Sequence, residues 1–449
     1  MSITITEPAS RASETAGAAR TSRSRRARVG IALLVAAYAA FWGATGLVHI
    51  NVTDFDVFFL PSALIAAGGH PLHIYTVRYL TTYPNANGPL AIAPLAVVAW
   101  VASHVGWLAN RPLRRALAQT VFSVFSLLLA REAVLASERL LGRSFAGWRR
   151  LLAYALFALS PELWHSVLFY GHLEQPLMLW LVLAGVRALA ERRPGKAGLL
   201  LGLTLLTRSA ALVYLAPLAL LLLWRRRRKA AAWLLGAAGA TLALGLLPFW
   251  LADSRDVTYS LMTFRDSLPI GGGTFWRLAL HTRWEYLATQ YDSLAALLAA
   301  LLVSLLMLAT RRDLDVDARG VYALLGVSSL CFTLLMRTLW PYYFLDAYVF
   351  LGVWWLSALP RERSRIARIR WALGALLPAL IVAYAQIGEY EVNHFTNGPW
   401  DVRSSVALSS LVAVTLAGVV VWMWREPVSS LPALPPHHLS RRGEGEPGS

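Results

Sequence analysis

Charge is scarce in this sequence. Only 15% of its 449 residues are Asp, Glu, Lys or Arg, against about 25% in soluble domains. So little charge cannot cover an ordinary water-facing surface, which excludes a soluble globular protein. Acidic residues are the scarcer sign, 25 against 42 Lys and Arg. The basic excess is gathered in short blocks such as ERRPGK and RRRRK between apolar runs. That pattern marks cytoplasmic loops rather than a nucleic-acid-binding face, so no nucleic-acid partner is expected. Cysteine occurs once, at Cys331, and an internal disulfide is excluded. Clear repeated halves are also lacking.

Apolar length is what the chain has. It is 57% hydrophobic, with mean hydropathy +0.51, and runs of 18 residues or more recur along it, as membrane spans require. The expected fold is all-α, a multi-pass transmembrane bundle of about 11–13 spans in the cell membrane. Residues 1–28, rich in Ser, Thr, Ala and Arg, read as a disordered cytoplasmic tail. Residues 29–424 read as the membrane domain, with external loops at 51–88, 252–292 and 388–404. Residues 425–449 read as a Pro-rich disordered tail.

Positive-inside counting gives the expected path. The first span, about Val29–Ile50, follows a basic block and lacks a clear cleavage site, so it is an anchor that places Asn51–Gly88 outside. Within that loop Val57–Ala67 has the spacing of an interfacial helix, with Phe58, Phe59 and Leu64 toward the headgroups. Gly68-Gly69 ends it. Pro89–Ala109 reads as a second span that stops inside at RPLRR, and Ala116–Leu135 as a third. From Ala116 to Ala190 three crossings then join segments that all look cytoplasmic, which is impossible. One basic block must lie outside, or one segment must be re-entrant or split. Ala197–Trp224 raises a similar problem. Its 28 residues between two basic blocks are short for two spans at about 1.5 Å per residue. Two broken helices meeting near Arg208–Ser209 fit. Ala230–Leu251 then leads outward to the 252–292 loop.

Four groups of residues carry possible chemistry. Asp54 and Asp56 stand at the end of the first span; they either cap it and face water or serve as general base, metal ligand or both. In PELWHSVLFYGHLEQP a polar break holds His165, Tyr170, His172, Glu174 and Gln175. It is an ordinary loop, or a cavity lining in which His172 and Gln175 donate to hydroxyls. Arg208 stands alone in LLLGLTLLTRSAALVYLAPL, where an arginine costs roughly 2.5–3.5 kcal/mol. It needs a partner, either a carboxylate such as Glu174 or a phosphate, which suits its fork. Arg337, Tyr342 and Tyr343 close a later span, as an aromatic belt or as further phosphate contacts. In the second external loop Arg265, Trp276, His281, Arg283, Trp284 and Glu285 are weaker candidates to cover a site. Glu389, Glu391, His394 and Asp401 are weaker still.

The succession TDFDVFFLPSALIAAGGHPLHIY, YPNANGPLAIAPL, SPELWHSVLFYGHLEQPLMLW, GLLLGLTLLTRSAALVYLAPL and WPYYF resembles the GT-C superfamily of polytopic glycosyltransferases. The resemblance is especially to bacterial polyprenyl-phosphate-mannose-dependent mannosyltransferases, over about residues 30–360. The resemblance implies an acidic catalytic residue just after the first span. Asp56 in DVFF matches it best, with Asp54 as runner-up. It implies a phosphate role for Arg208, where the family often has lysine. The family's Gly-Gln-x-[ND] element is altered here to Gly171-His172-Leu173-Glu174-Gln175. The implied reaction moves a hexose, mannose by analogy, from a polyprenyl-phosphate donor to a hydroxyl of a lipid or cell-envelope glycan acceptor. It proceeds with inversion on the extracytoplasmic side, the N-terminus being cytoplasmic. No cofactor is required, and a divalent metal on Asp54 and Asp56 is optional. The competing expectation is a transporter or flippase of a lipid-linked or polar substrate, which also uses broken helices and intramembrane polar groups.

Overall fold

A computed structural model of the chain describes residues 9–48, 53–76, 84–264, 270–272, 274–311 and 314–359, with a few isolated positions beyond, and backbone alone for 9–28. It is a helical membrane protein. Five helical stretches are long and apolar enough to cross a bilayer: Val29–Val48, Arg111–Leu141, Trp148–Tyr170, Arg228–Thr263 and Glu285–Thr310. Five shorter apolar helices accompany them among the described residues. The one strand pairing described joins Gly271-Gly272 to Thr338-Leu339. The third external loop and the C-terminal tail lie outside the described residues.

Helix α1 runs Ala9–Val48, so helical backbone begins inside the stretch expected as a disordered tail. A wide π turn, Phe55–Phe59, and α2, Leu60–Ala67, follow. Gly69 stops α2 at φ 93, a left-handed conformation open to glycine. Phe59 is not in a headgroup layer as its spacing suggested; it is buried in the protein core.

Helix α3, Pro89–His104, packs on α2, and α4 is Arg111–Leu141. Here the path departs from the expected one. Gly88 and Leu90 donate to the carbonyls of Thr207 and Leu206 at one end of α3. Beyond its other end, Arg114 is 2.8 Å from Asp56. Both ends of α3 therefore lie at the same end of the bundle. It is not a second span, and RPLRR sits with the Asp54–Asp56 loop rather than opposite it. Moving that block removes the impossible count of three crossings.

Helix α4 then runs the length of the bundle. Asn110 caps it by accepting from Leu113 N at 3.1 Å, worth about 1 kcal/mol. Gly142 ends it at φ 65. The return leg is α5, Trp148–Ala158, a single turn α6, Pro161–Trp164, and a π turn, His165–Tyr170. Helix α7 is Glu174–Ala190.

The two broken helices are present as expected: α8, Pro194–Leu205, and α9, Leu212–Trp224, meet at extended Arg208 (φ −153, ψ 125). The break frees the carbonyls of Leu206 and Thr207, and these are the ones that take Leu90 and Gly88. Buried backbone acceptors are thus satisfied without continuing the helix. A Cβ on Gly88 would sit 1.9 Å from Leu206 O, so only glycine allows this approach.

Helix α10, Arg228–Thr258, bends at Asp253 (φ −159) and continues as a π turn to Thr263. It packs on α8 through Gly198 and Gly202, where an added Cβ would strike Leu234 O and Thr241. The second external loop is shorter than expected, because α10 extends into its start and α11, Glu285–Thr310, into its end. Helices α12, Gly320–Leu334, and α13, Phe344–Leu356, complete the described bundle. Helices α7, α12 and α13 are buried nearly all round and form its centre, whereas α1, α10 and α11 expose rows of Leu, as lipid-facing helices do.

Candidate active site

The break after Tyr170 is what builds the site. Gly171 turns the chain at φ 76, and its missing Cβ leaves room for Thr53 and Phe55; an added one would come within 2.6 Å of Thr53 Oγ1 and 2.8 Å of Phe55 Cβ. This contact lays residues 171–175 against the first loop. His172 then meets Asp54: Nε2 to Asp54 Oδ2 is 2.8 Å, and Nδ1 to Glu174 Oε1 is 2.9 Å. Asp54 remains 33% exposed while Glu174 is fully buried. Asp54 Oδ1 has no hydrogen bond among the described residues, and the side chain is partly open. Gly171→Ala is expected to cost about 1–2 kcal/mol for the left-handed backbone alone, with the steric overlap added. Both the melting temperature and any activity that uses His172 should fall together.

Tyr342 is the second organiser. Its ring stacks on His172 at 4.1 Å and 23°, and contacts Tyr170 at 4.9 Å and Tyr343 at 4.4 Å. The Arg208 guanidinium lies over the same tyrosines, 5.0 Å from the Tyr343 ring and 5.8 Å from Tyr342. Asp54, His172, Tyr342 and Arg208 are therefore one contiguous set, drawn from four distant parts of the chain. Arg208 has no carboxylate within 4.0 Å among the described residues. Each tyrosine face returns about 0.5–2 kcal/mol to a cation, which does not reliably offset the roughly 2.5–3.5 kcal/mol that burying it costs. The Glu174 and Asp346 carboxylates add a longer-range attraction, and a directly bound anion would add the contact that the described residues do not make.

Other expected roles change. Glu174 makes no ion pair with Arg208 within 4.0 Å among the described residues, although its charge and that of Asp346 act on the guanidinium; its Oε1 takes His172 Nδ1. Gln175 is not free to donate to a substrate. Its Nε2 donates to Asp346 Oδ1 at 2.8 Å and to Tyr342 O at 3.0 Å, and its Oε1 accepts from Ser166 at 2.6 Å. Both nitrogens of His172 are likewise engaged. Asp56 pairs with Arg114 at 2.8 Å and Arg115 at 3.6 Å, and is only 5% exposed. Arg337 is not at the site. It is buried, its Nη1 donates to Thr289 O, and its backbone N–H donates to Asp292 Oδ2; it ties the Thr338–Tyr343 turn to α11. Trp276 donates to Leu335 O, Arg283 lies over Trp284, and Glu285 accepts from His281 N. Arg265, Glu389, Glu391, His394 and Asp401 lie outside the described residues. Among the described residues no group of three His, Cys, Asp or Glu is arranged to hold a metal.

No protein-family model matches the chain, and no curated protein matches it. What the site does rests on its own geometry.

Sequence reasoning passed over Asp346 and Tyr214. Tyr214 OH donates to Asp346 Oδ2, which fixes the far side of Gln175. Asp346 was detectable, since it is a lone carboxylate in the apolar run of α13, the same signal that marked Arg208.

Electrostatics give His172 a definite sense. Burial works to lower its value, but the Glu174 carboxylate and the hydrogen bond that His172 donates to Asp54 outweigh it, so the imidazole titrates above its ordinary 6.5. A raised folded-state value means that the stabilisation is complete below the unfolded value, about 6.5. It is lost as pH rises through the folded one. Melting temperature followed against pH should therefore decline over that upper range in the wild type. His172→Gln should remove this component of the decline.

Proposed function

We propose that the chain is a GT-C-type hexosyltransferase that uses a polyprenyl-phosphate sugar. Mannose is the first sugar to try, and the acceptor is a lipid or cell-envelope glycan hydroxyl. The observation that carries this is a partly open carboxylate and an arginine with no carboxylate within 4.0 Å among the described residues, held on one aromatic stack. Asp54, oriented by His172, is the base; Asp56, the residue the resemblance favoured, is held by two arginines instead. Glu174 fixes the second nitrogen of His172, so the imidazole presents Nε2 to Asp54.

The step balances within these groups. The acceptor hydroxyl gives its proton to Asp54 Oδ1 as its oxygen bonds to the anomeric carbon. The bond from that carbon to the donor phosphate oxygen breaks on the opposite face, which inverts the centre. The phosphate leaves with the electron pair, and Arg208 faces the charge that develops there. The opposite end of the bundle carries Arg225–Lys229, Arg192 and Arg193, the composition of a cytoplasmic face. This supports a site on the extracytoplasmic side.

Donor binding tests the reading. Arg208→Ala should weaken binding of a polyprenyl-phosphate hexose in detergent or nanodiscs by at least tenfold, with Arg208→Lys intermediate. Unchanged affinity in the folded Ala variant would end the phosphate role. One observation favours a second reading: half-helices meeting at a charged site, as α8 and α9 do, also occur in transporters. A transporter or flippase would bind the same donor and move it without cutting it.

A further inference from the structure

The end of the bundle remote from Asp54 holds a cleft that sugar transfer does not use. It has a volume of about 770 Å³ and lies between the α7–α8 and α9–α10 turns. Arg192, Arg226, Arg228 and Lys229 line its polar side, and Leu222 and Trp233 its apolar side. Arg192 and Arg226 each stand at φ 58 in the turn that follows a helix, a left-handed conformation uncommon outside glycine and asparagine. Arg227 is neutralised by Asp315 at 2.6 Å. The other four cations have no carboxylate within 4.0 Å among the described residues. A cytoplasmic bias explains basic residues at this end. It does not explain four unneutralised ones gathered around a concavity with an apolar wall.

We propose that this cleft binds an anionic phospholipid, its phosphate among Arg192, Arg226, Arg228 and Lys229 and its acyl chains along Trp233. The chemistry is that of basic recesses between membrane helices, which attract anionic headgroups, with guanidinium forks matched to phosphate oxygens. The apolar wall selects a lipid over free phosphate. Trp233 is 67% exposed, and the apolar stretch of α10 that carries it is only 17% buried in the protein. The same surface is therefore open to bilayer chains. The site is independent of the transfer chemistry.

Trp233 reports on its own occupant. The full chain is reconstituted in nanodiscs that contain either brominated phosphatidylglycerol or brominated phosphatidylcholine at equal mole fraction. The Trp233 signal is taken as the difference between wild type and Trp233→Phe. Phosphatidylglycerol should quench it with at least about fivefold higher relative affinity, the effect of one basic residue near an anionic surface. The variant R226Q/R228Q/K229Q should bring the ratio close to one. Equal quenching by both lipids in the wild type would overturn the proposal, as would a ratio that the triple variant leaves unchanged. Loss of the preference on adding inorganic phosphate, with sodium chloride at matched ionic strength leaving it intact, would assign the cleft to free phosphate and overturn the lipid.

Discussion

Asp54→Asn is expected to lower sugar transfer by about 10²–10⁴-fold, the contribution of a positioned general base, while the protein stays folded. The substitution keeps the side chain's size. It also leaves an oxygen that can accept from His172 Nε2, 2.8 Å from the carboxylate in the wild type. What it removes is the basic oxygen that the proposed reaction assigns to the acceptor's proton. The side chain is 33% exposed, but it is one of two carboxylates on His172, so the melting temperature should fall modestly while Glu174 still holds the ring. Initial rates with a labelled donor, normalised to folded protein by gel filtration, check it. A rate within threefold of wild type would remove Asp54 from the chemistry.

Asp56 should behave in the opposite way. It lies between Arg114 and Arg115, and Arg115 is 1% exposed. Asp56→Ala leaves that buried guanidinium without its carboxylate, although it still donates to Thr53 Oγ1. Breaking one side of a buried pair costs about 3–5 kcal/mol, a large share of the stability of most proteins. Asp56→Ala should therefore lose folded yield and melt early. Replacing the pair together, Asp56→Leu with Arg115→Met, should recover much of the loss, because a well-packed apolar pair avoids the desolvation penalty altogether. Thermal unfolding of the three variants in one detergent measures this. A normal melt for Asp56→Ala with abolished transfer would instead return the base to Asp56.

The elements that the sequence made legible are those whose signal is local. Arg208 stands out because an arginine in an apolar run is costly wherever it lies, and the 28 residues between two basic blocks leave room for only two half-helices. The polar break at Gly171–Gln175 is visible for the same reason. Partner choice is not local. RPLRR reads as cytoplasmic when charges are counted, and nothing nearby reveals that Arg114 pairs with Asp56, 58 positions earlier. Placing that block at the wrong end turned α3 into a span. The exchange of roles between Asp54 and Asp56 has the same origin. Two residues apart where a π turn begins, they point to different partners, one to His172 and the other to α4. Gln175 and Arg337 looked available for a substrate because their acceptors, Tyr342 O, Asp346 and Thr289 O, lie far away in sequence.

The most direct measurement is single-turnover reaction of the reconstituted chain with a polyprenyl-phosphate hexose labelled in the sugar, in vesicles supplied with a panel of acceptor lipids. The account predicts that label leaves the polyprenyl phosphate and appears on an acceptor hydroxyl with inverted anomeric configuration, and that Asp54→Asn and Arg208→Ala each suppress it. Label that crosses the bilayer still attached to its polyprenyl phosphate, at equal rates in wild type and Asp54→Asn, would contradict it.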